Sequence, residues 1–276
     1  MDSMAAAGYV RLAGLSPRRR VVVVAAVVLA VGLVVALVVP RLADLIADAG
    51  RGAVPPPDRP GPVLLVPGYG AGTASLERLA GALRAVGRPA IVVGLPGDGT
   101  GDLRVQAGAL DVAVDRALDT SGGPSVDIVG YSAGGVVARL WVQEHGGQRK
   151  ARRVVTLGSP HHGARIAGVG AASVPGACPE ACQQLVPGSR LLAGLVTPVP
   201  TPPGWLSVWT VDDETVTPPE SARLEGALDV MVQSVCPSAR PGHGGLPADP
   251  VVTRIVLDAL GPQPLAPPAP GCGLSS

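Results

Sequence analysis

The chain contains no phenylalanine, and aromatic residues make up 2 % of its 276 positions. Its core must therefore be built from Val, Leu, Ile and Ala, and the composition argues against the aromatic platforms on which nucleic-acid bases stack. Charge is scarce as well. Charged residues are 16 % of the chain, and 22 Lys and Arg against 21 Asp and Glu leave a net charge of +1, so no basic surplus recruits nucleic acid. The glycine-rich stretch 67–72 lacks the Lys-Ser/Thr pair of a phosphate-binding loop, and its spacing is wrong for a complete dinucleotide fingerprint. No internal repeat is present, and the four cysteines have no convincing zinc-site spacing.

Hydrophobic residues, by contrast, are 47 % of the chain, and the length suits one domain with appendages. The longest apolar run, 21–39, follows Arg18, Arg19 and Arg20. At 1.5 Å per residue it spans roughly 28 Å, close to a bilayer's hydrocarbon core. A run of this length favours an uncleaved signal anchor over a cleavable signal h-region, although Ala47-Asp48-Ala49 is a formal A-x-A site. With Arg11 and the arginine cluster ahead of it, the positive-inside rule puts the N-terminus in the cytoplasm and the rest outside. Residues 53–62 then read as an extended proline-rich spacer.

Further on, strand-like and helix-like patterns alternate. Strands are expected at 63–66, 90–93, 126–129, 154–157 and 206–211, with helices near 75–86, 102–118, 133–144 and 250–260. This rhythm predicts a mostly parallel sheet with helices on both faces. Residues 164–204 break it and read as a small cap. The proline-rich stretch 261–276 carries little helix or strand potential.

Within that frame Gly130-Tyr131-Ser132-Ala133-Gly134-Gly135 stands at a strand-to-helix junction. This is the G-x-S-x-G elbow, in which a serine is pushed up on a strained turn and side chains at the flanking glycines would collide. Such a serine works with an acid and then a histidine later in the chain, and four histidines make the search short. His145 ends the elbow helix as a cap, and His161 and His162 come too early in the order. His243, in the loop Pro241-Gly242-His243-Gly244-Gly245, remains. The acid lies among Asp212, Asp213 and Glu214, where a strand runs out ahead of that loop. Asp102, Asp111, Asp115 and Asp119 precede the serine and space like the wet face of a helix. Backbone amides of Ala133 and of Tyr69, in the turn after the first strand, are the candidates for an oxyanion hole.

Five blocks, 63–70, 126–135, 154–163, 207–216 and 242–246, occur in the order that resembles the small secreted bacterial lipases and esterases of the α/β-hydrolase fold, including their minimal, nearly lidless members. The resemblance covers roughly residues 62–260. It implies Ser132 as nucleophile, Asp213 as acid, His243 as base, and Tyr69 and Ala133 as oxyanion amides. Relatives often carry His-Gly where this chain has Pro67-Gly68. Since that loop acts through its backbone, the change is expected to reshape the pocket wall only. The implied activity is hydrolysis of carboxylic esters, of lipid or of short-to-medium acyl chains, by a monomer that needs no metal or organic cofactor.

The triad alone does not separate this from a thioesterase or acyltransferase acting on cell-envelope acyl groups. A catalytically silent, membrane-tethered binding protein is the reading from outside enzymology. The expected organisation is a cytoplasmic segment 1–20, a signal anchor or signal h-region 21–39, a linker 40–62, a catalytic domain 63–260 with a small cap at 164–204, and a tail 261–276. Of the three pairings open to four cysteines, Cys178 with Cys182 closes a local loop and leaves Cys236 to staple Cys272 in an otherwise unanchored tail. Disulfides persist in oxidising compartments, in keeping with a domain outside the cell membrane, or secreted if the signal is cleaved.

Overall fold

The structure, a computed structural model, describes residues 16–51, 54–165 and 178–273. The chain divides into two compact units, Met1–Gly52 and Ala53–Ser276. In the first, one helix, α1 (Pro17–Arg51), runs through the apolar segment Val21–Arg41, whose mean hydropathy is 3.3. It is long and apolar enough to cross a membrane, a property that anchors share with signal sequences. The helix continues beyond the expected span to Arg51.

The second unit is built on six strands: β1 (Val63–Val66), β2 (Ala90–Val92), β3 (Val126–Tyr131), β4 (Ala151–Leu157), β5 (Gly204–Trp209) and β6 (Leu228–Met231). All pair in parallel in the order β2-β1-β3-β4-β5-β6. The helices are α2 (Ala74–Ala85), α3 (Leu103–Ser121), α4 (Ala133–Glu144), the short α5 (Glu180–Gln184), α6 (Arg190–Ala193) and α7 (Val232–Val235), and α8 (Pro250–Ala259). Alternation along β1 divides the core. Leu64 and Val66 join the cluster of α3 and α4, whereas Val63 and Leu65 join that of α2 and α8. Right-handed crossovers require this division, because the chain steps from β1 to one side to make β2 and then returns past β1 to make β3. The reversal opens a crevice beyond the carboxyl ends of β1 and β3, where an α/β sheet places its ligand.

Three expectations are corrected. β5 ends at Trp209 rather than at 211. Thr210 turns the chain there, its hydroxyl accepting from the Asp212 N–H and donating to Pro241 O. β6 had not been expected at all, since its Asp229 interrupts the apolar pattern to accept the Leu224 N–H. The tail is anchored by more than Cys272. Arg153 donates to the carbonyls of Ala259, Gly261 and Gln263, and Arg254 to those of Ala269 and Gly271. The disulfides Cys178–Cys182 and Cys236–Cys272 are both present. Of the segment expected as a cap, 166–177 lies outside the described residues. From Ala181 onward the rest packs with α3 and α4, burying Leu185, Leu191, Leu192 and Leu195.

Two buried polar networks tie these layers together. At the amino end of β3, Asp127 is fully buried, accepting Arg152 Nε at 3.0 Å and guanidinium nitrogens of Arg152 and Arg88 at 2.6 Å each. The same arginines hold Pro57 O and Gly61 O of the incoming chain and Leu260 O after α8. In the loop after β4, buried His161 sets Nε2 3.1 Å from Thr156 Oγ1. Thr156 donates its proton to Ser207 Oγ, which donates to Ala222 O, so the threonine accepts from His161 Nε2–H. Among the described residues His161 Nδ1 is then a bare lone pair without a partner. Charging the ring would bury an unpaired N–H, and burial, with Arg139 and His162 nearby, holds its pKa well below 6.5.

Asp127→Asn keeps the shape but leaves two guanidiniums facing amide donors, and is expected to cost about 3–5 kcal/mol in urea unfolding. His161 gives the second expectation. Its unfolded pKa lies above its folded one, so the unfolded state binds the extra proton, and stability declines as pH falls below 6.5 toward the folded value. The limiting slope is about 1.4 kcal/mol per pH unit. His161→Gln, which retains a donor to Thr156, should flatten that limb relative to the native chain when unfolding is followed from pH 7 to pH 5.

Candidate active site

Ser132 is at the carboxyl end of β3 with φ 52° and ψ −126°, a backbone conformation that few non-glycine residues adopt. The strain is sustained by packing that only glycine permits. A Cβ at Gly134 would lie 2.3 Å from Val66 O, and one at Gly130 would lie 2.5 Å from Gly135 Cα. The first turn of α4 can thus press against β1 and β3, with the serine hydroxyl raised at the crevice. Gly68 closes in from β1, where a Cβ would be 2.9 Å from Ser132 Cβ.

His243 opens a turn of 3₁₀ helix, His243–Ala248, that packs on α2, and its side chain is buried. Its Nδ1 is 2.8 Å from Asp213 Oδ2 and its Nε2 is 3.0 Å from Ser132 Oγ. A carboxylate accepts only, so Nδ1 carries the proton and Nε2 presents its lone pair to the serine. The other oxygen, Asp213 Oδ1, accepts the N–H groups of Thr215 at 2.9 Å and Val216 at 2.7 Å. Both carboxylate oxygens are therefore fixed, and the charge is stabilised where it stands.

The three adjacent acids take three different places. Asp212 is exposed and accepts Gln233 Nε2 at 3.2 Å. Asp213 faces the imidazole, and Glu214 accepts the backbone N–H of His243 at 2.9 Å. Sequence reasoning had not singled out Gln233, which also donates to Thr210 Oγ1 and Ala239 O and so braces the end of β5 against the histidine loop. It also passed over Tyr131, whose hydroxyl reaches His243 O. The only signal for Tyr131 was its place beside Ser132.

Ala133 is the first residue of α4, so its N–H has no intrahelical acceptor and lies at the positive end of the helix dipole. Tyr69 follows Gly68 in the crevice loop, and among the described residues no acceptor takes its N–H. The other histidines stay out of the cluster. His145 caps α4 with Nδ1 3.9 Å from Asp111, and His162 Nδ1 contacts Ser221 O. At least three of the earlier aspartates are more than wet charges, since Asp102 caps α3 and accepts Gln184 Nε2 at 2.7 Å, and Asp111 and Asp115 both bind Lys150 at 2.8 Å. Among the described residues no group of three or more His, Cys, Asp or Glu is arranged to hold a metal.

A sequence profile of the alpha/beta hydrolase fold matches residues 61–181. Among curated protein sequences none matches the chain. Among solved structures, Aspergillus fumigatus lipase B is similar with a TM-score of 0.62 at 16 % identity over 73 % of this chain. The alignment takes in 52 % of that lipase, so this chain corresponds to about half its length. A structure of the metagenome-derived lipolytic enzymes LipS and LipT gives a TM-score of 0.56 at 14 % identity, covering 75 % of this chain and 99 % of that one. The mature form of Bacillus licheniformis lipase BlEst2 gives 0.51 at 18 % identity, covering 64 % and 85 %. Likeness at such identities is likeness of fold, and with the sheet order and the profile match it makes this chain a protein of the α/β-hydrolase fold.

Proposed function

We propose that this protein is a serine hydrolase that cleaves carboxylic esters, of lipids or of short-to-medium acyl chains, through an acyl-enzyme. The observation that carries the reading is the unbroken path Ser132 Oγ, His243, Asp213, with separations of 3.0 and 2.8 Å, ending on a serine held in a strained elbow. His243 Nε2 takes the hydroxyl proton as Ser132 Oγ attacks the ester carbonyl. The Tyr69 and Ala133 amides donate to the oxyanion. The carbon–oxygen bond to the alcohol then breaks, and His243 returns the proton to the departing oxygen. Water, deprotonated by the same imidazole, attacks the acyl-serine and releases the acid. Asp213 holds the tautomer throughout and stabilises the imidazolium. Thioesterases and acyltransferases share the first half of this cycle, and the acyl acceptor distinguishes them. The lipases and lipolytic enzymes among the structural neighbours support an acyl ester as substrate.

The proposal extends to location. α1 holds the protein in the cell membrane in a single pass, its arginine-flanked end in the cytoplasm, and the unit with two disulfides faces the oxidising exterior.

Ser132→Ala is expected to abolish hydrolysis of a soluble ester and labelling by a fluorophosphonate, with turnover falling by about 10⁴-fold or more. In the same assay Asp213→Asn should cost about 10³–10⁴-fold, because an amide favours the wrong histidine tautomer, whereas Asp212→Asn should stay within a few-fold of the native chain. Activity of Ser132→Ala within tenfold of native, or greater loss from Asp212→Asn than from Asp213→Asn, would refute the assignment. For location, intact cells treated with a membrane-impermeant maleimide should label the protein only after reduction. No labelling of intact cells even after reduction, with four thiols labelled without reductant once the cells are lysed, would overturn the exterior placement.

A further inference from the structure

His243 is held by its main chain as well as by its ring. Its N–H donates to Glu214 Oε2 at 2.9 Å, and its C=O accepts the Tyr131 hydroxyl at 3.2 Å. The Tyr131 ring also lies beside the imidazole, with centroids 5.2 Å apart. The hydrogen bonds of both residues go to the main chain of His243 and not to its ring nitrogens or to Ser132 Oγ. Each is the chain neighbour of another member of the cluster, Tyr131 preceding Ser132 and Glu214 following Asp213.

We propose that Tyr131 and Glu214 are positioning residues that clamp the His243 peptide from both sides and thereby fix the imidazole between Ser132 and Asp213. This rests on the serine-hydrolase reading above and extends it to two residues outside the triad. The need for a clamp comes from the loop. His243 is flanked by Gly242, Gly244 and Gly245, whose backbones are the least restrained by sterics. Two ring hydrogen bonds orient the imidazole plane but leave the peptide behind it free to swing. Proton transfer from serine tolerates little of that, since a displacement of about 1 Å can cost about a hundredfold in rate.

The glycines that loosen the loop also admit the clamp. A Cβ at Gly242 would lie 2.7 Å from Glu214 Oε2, so a side chain there would push the carboxylate from the position in which it meets the His243 N–H. On the opposite side Tyr131 ends β3, and its position is set by the sheet rather than by the loop. Its phenol is pushed up to about 12 by burial, with the charges of Asp213 and Glu214 adding to the effect. The hydroxyl thus keeps its proton, and its role as donor, throughout the range in which an ester hydrolase works. A peptide whose N–H answers to the acid's neighbour and whose C=O answers to the nucleophile's neighbour is registered to both at once.

The test uses the full chain in detergent, with kcat and KM measured on p-nitrophenyl butyrate and the rate of fluorophosphonate labelling of Ser132 measured alongside. Tyr131→Phe and Glu214→Ala should each lower kcat and the labelling rate about tenfold with KM within about twofold, as expected for loosened geometry without lost substrate contacts. Glu214→Gln keeps an acceptor oxygen and should return to within about threefold of the native chain. Circular dichroism confirms that each variant is folded at the assay temperature, and the near-isosteric Tyr131→Phe and Glu214→Gln carry the test should Glu214→Ala unfold. Native chain labelled at Ser132, with both Tyr131→Phe and Glu214→Ala labelled at the native rate, overturns the clamp alone. Equal losses in Glu214→Gln and Glu214→Ala would assign the effect to charge and also overturn it, as would a rise in KM at unchanged kcat. Failure of the native chain to label at Ser132 would instead refute the hydrolase reading, and the clamp with it.

Discussion

A carboxylate with no access to solvent, Asp127 at the amino end of β3, sets the frame on which the rest of the sheet is hung. An isolated charge there would be prohibitive, and its two guanidinium partners overcompensate it by one unit. The excess is met by carbonyl dipoles. Arg88, Arg152 and Arg153 between them donate to Ala259, Leu260 and Gly261, the C-terminal carbonyls of α8 and those just beyond it. These carry the negative end of a helix dipole and have no intrahelical partners of their own. One cluster therefore neutralises the buried acid, caps the last helix and fastens Pro57 and Gly61 of the entering chain.

β3 connects that cluster to the chemistry. Ser132 directly follows β3 and is five residues beyond Asp127, about 17 Å at 3.3 Å per residue. The strained φ of Ser132 persists because the strand beneath it cannot relax, being paired on both sides and anchored below. The histidine arrives from the opposite direction, on a loop seated against α2, and meets the serine through contacts that Thr210, Gln233, Glu214 and Tyr131 each restrain. Serine and imidazole thus come from different layers of the fold, joined by polar side chains outside the hydrophobic core.

What the sequence disclosed follows the range of the forces involved. The elbow was legible because its requirements are local: a buried strand, glycines at fixed offsets and an amphipathic helix. His243 emerged from chain order among four histidines. The carboxylate that meets His243 was ambiguous on residue pattern alone, because rotating one turn by a residue exchanges Asp212, Asp213 and Glu214. That rotation is set by the Thr210 hydroxyl, a contact between side chain and backbone with no signature in spacing. β6 escaped notice for a related reason, an aspartate in a strand being justified only by the Leu224 N–H it accepts. The proline-rich tail offered least, since what docks it is its own carbonyls, which every residue possesses.

The anchoring of that tail bears on how the domain is completed as the chain is made. Arg152 and Arg153 leave the ribosome more than a hundred residues before the carbonyls that satisfy them, the separations being 106 to 110 positions. Until the last helix and the segment after it arrive, Arg153 at the amino end of the sheet lacks the carbonyls it donates to, and Arg152 has only Asp127 and Pro57 O. Contacts of such long range close late and slow folding. In a chain of this design the amino end of the sheet gains its full set of contacts only after the histidine loop, the last helix and the start of the tail have all been made.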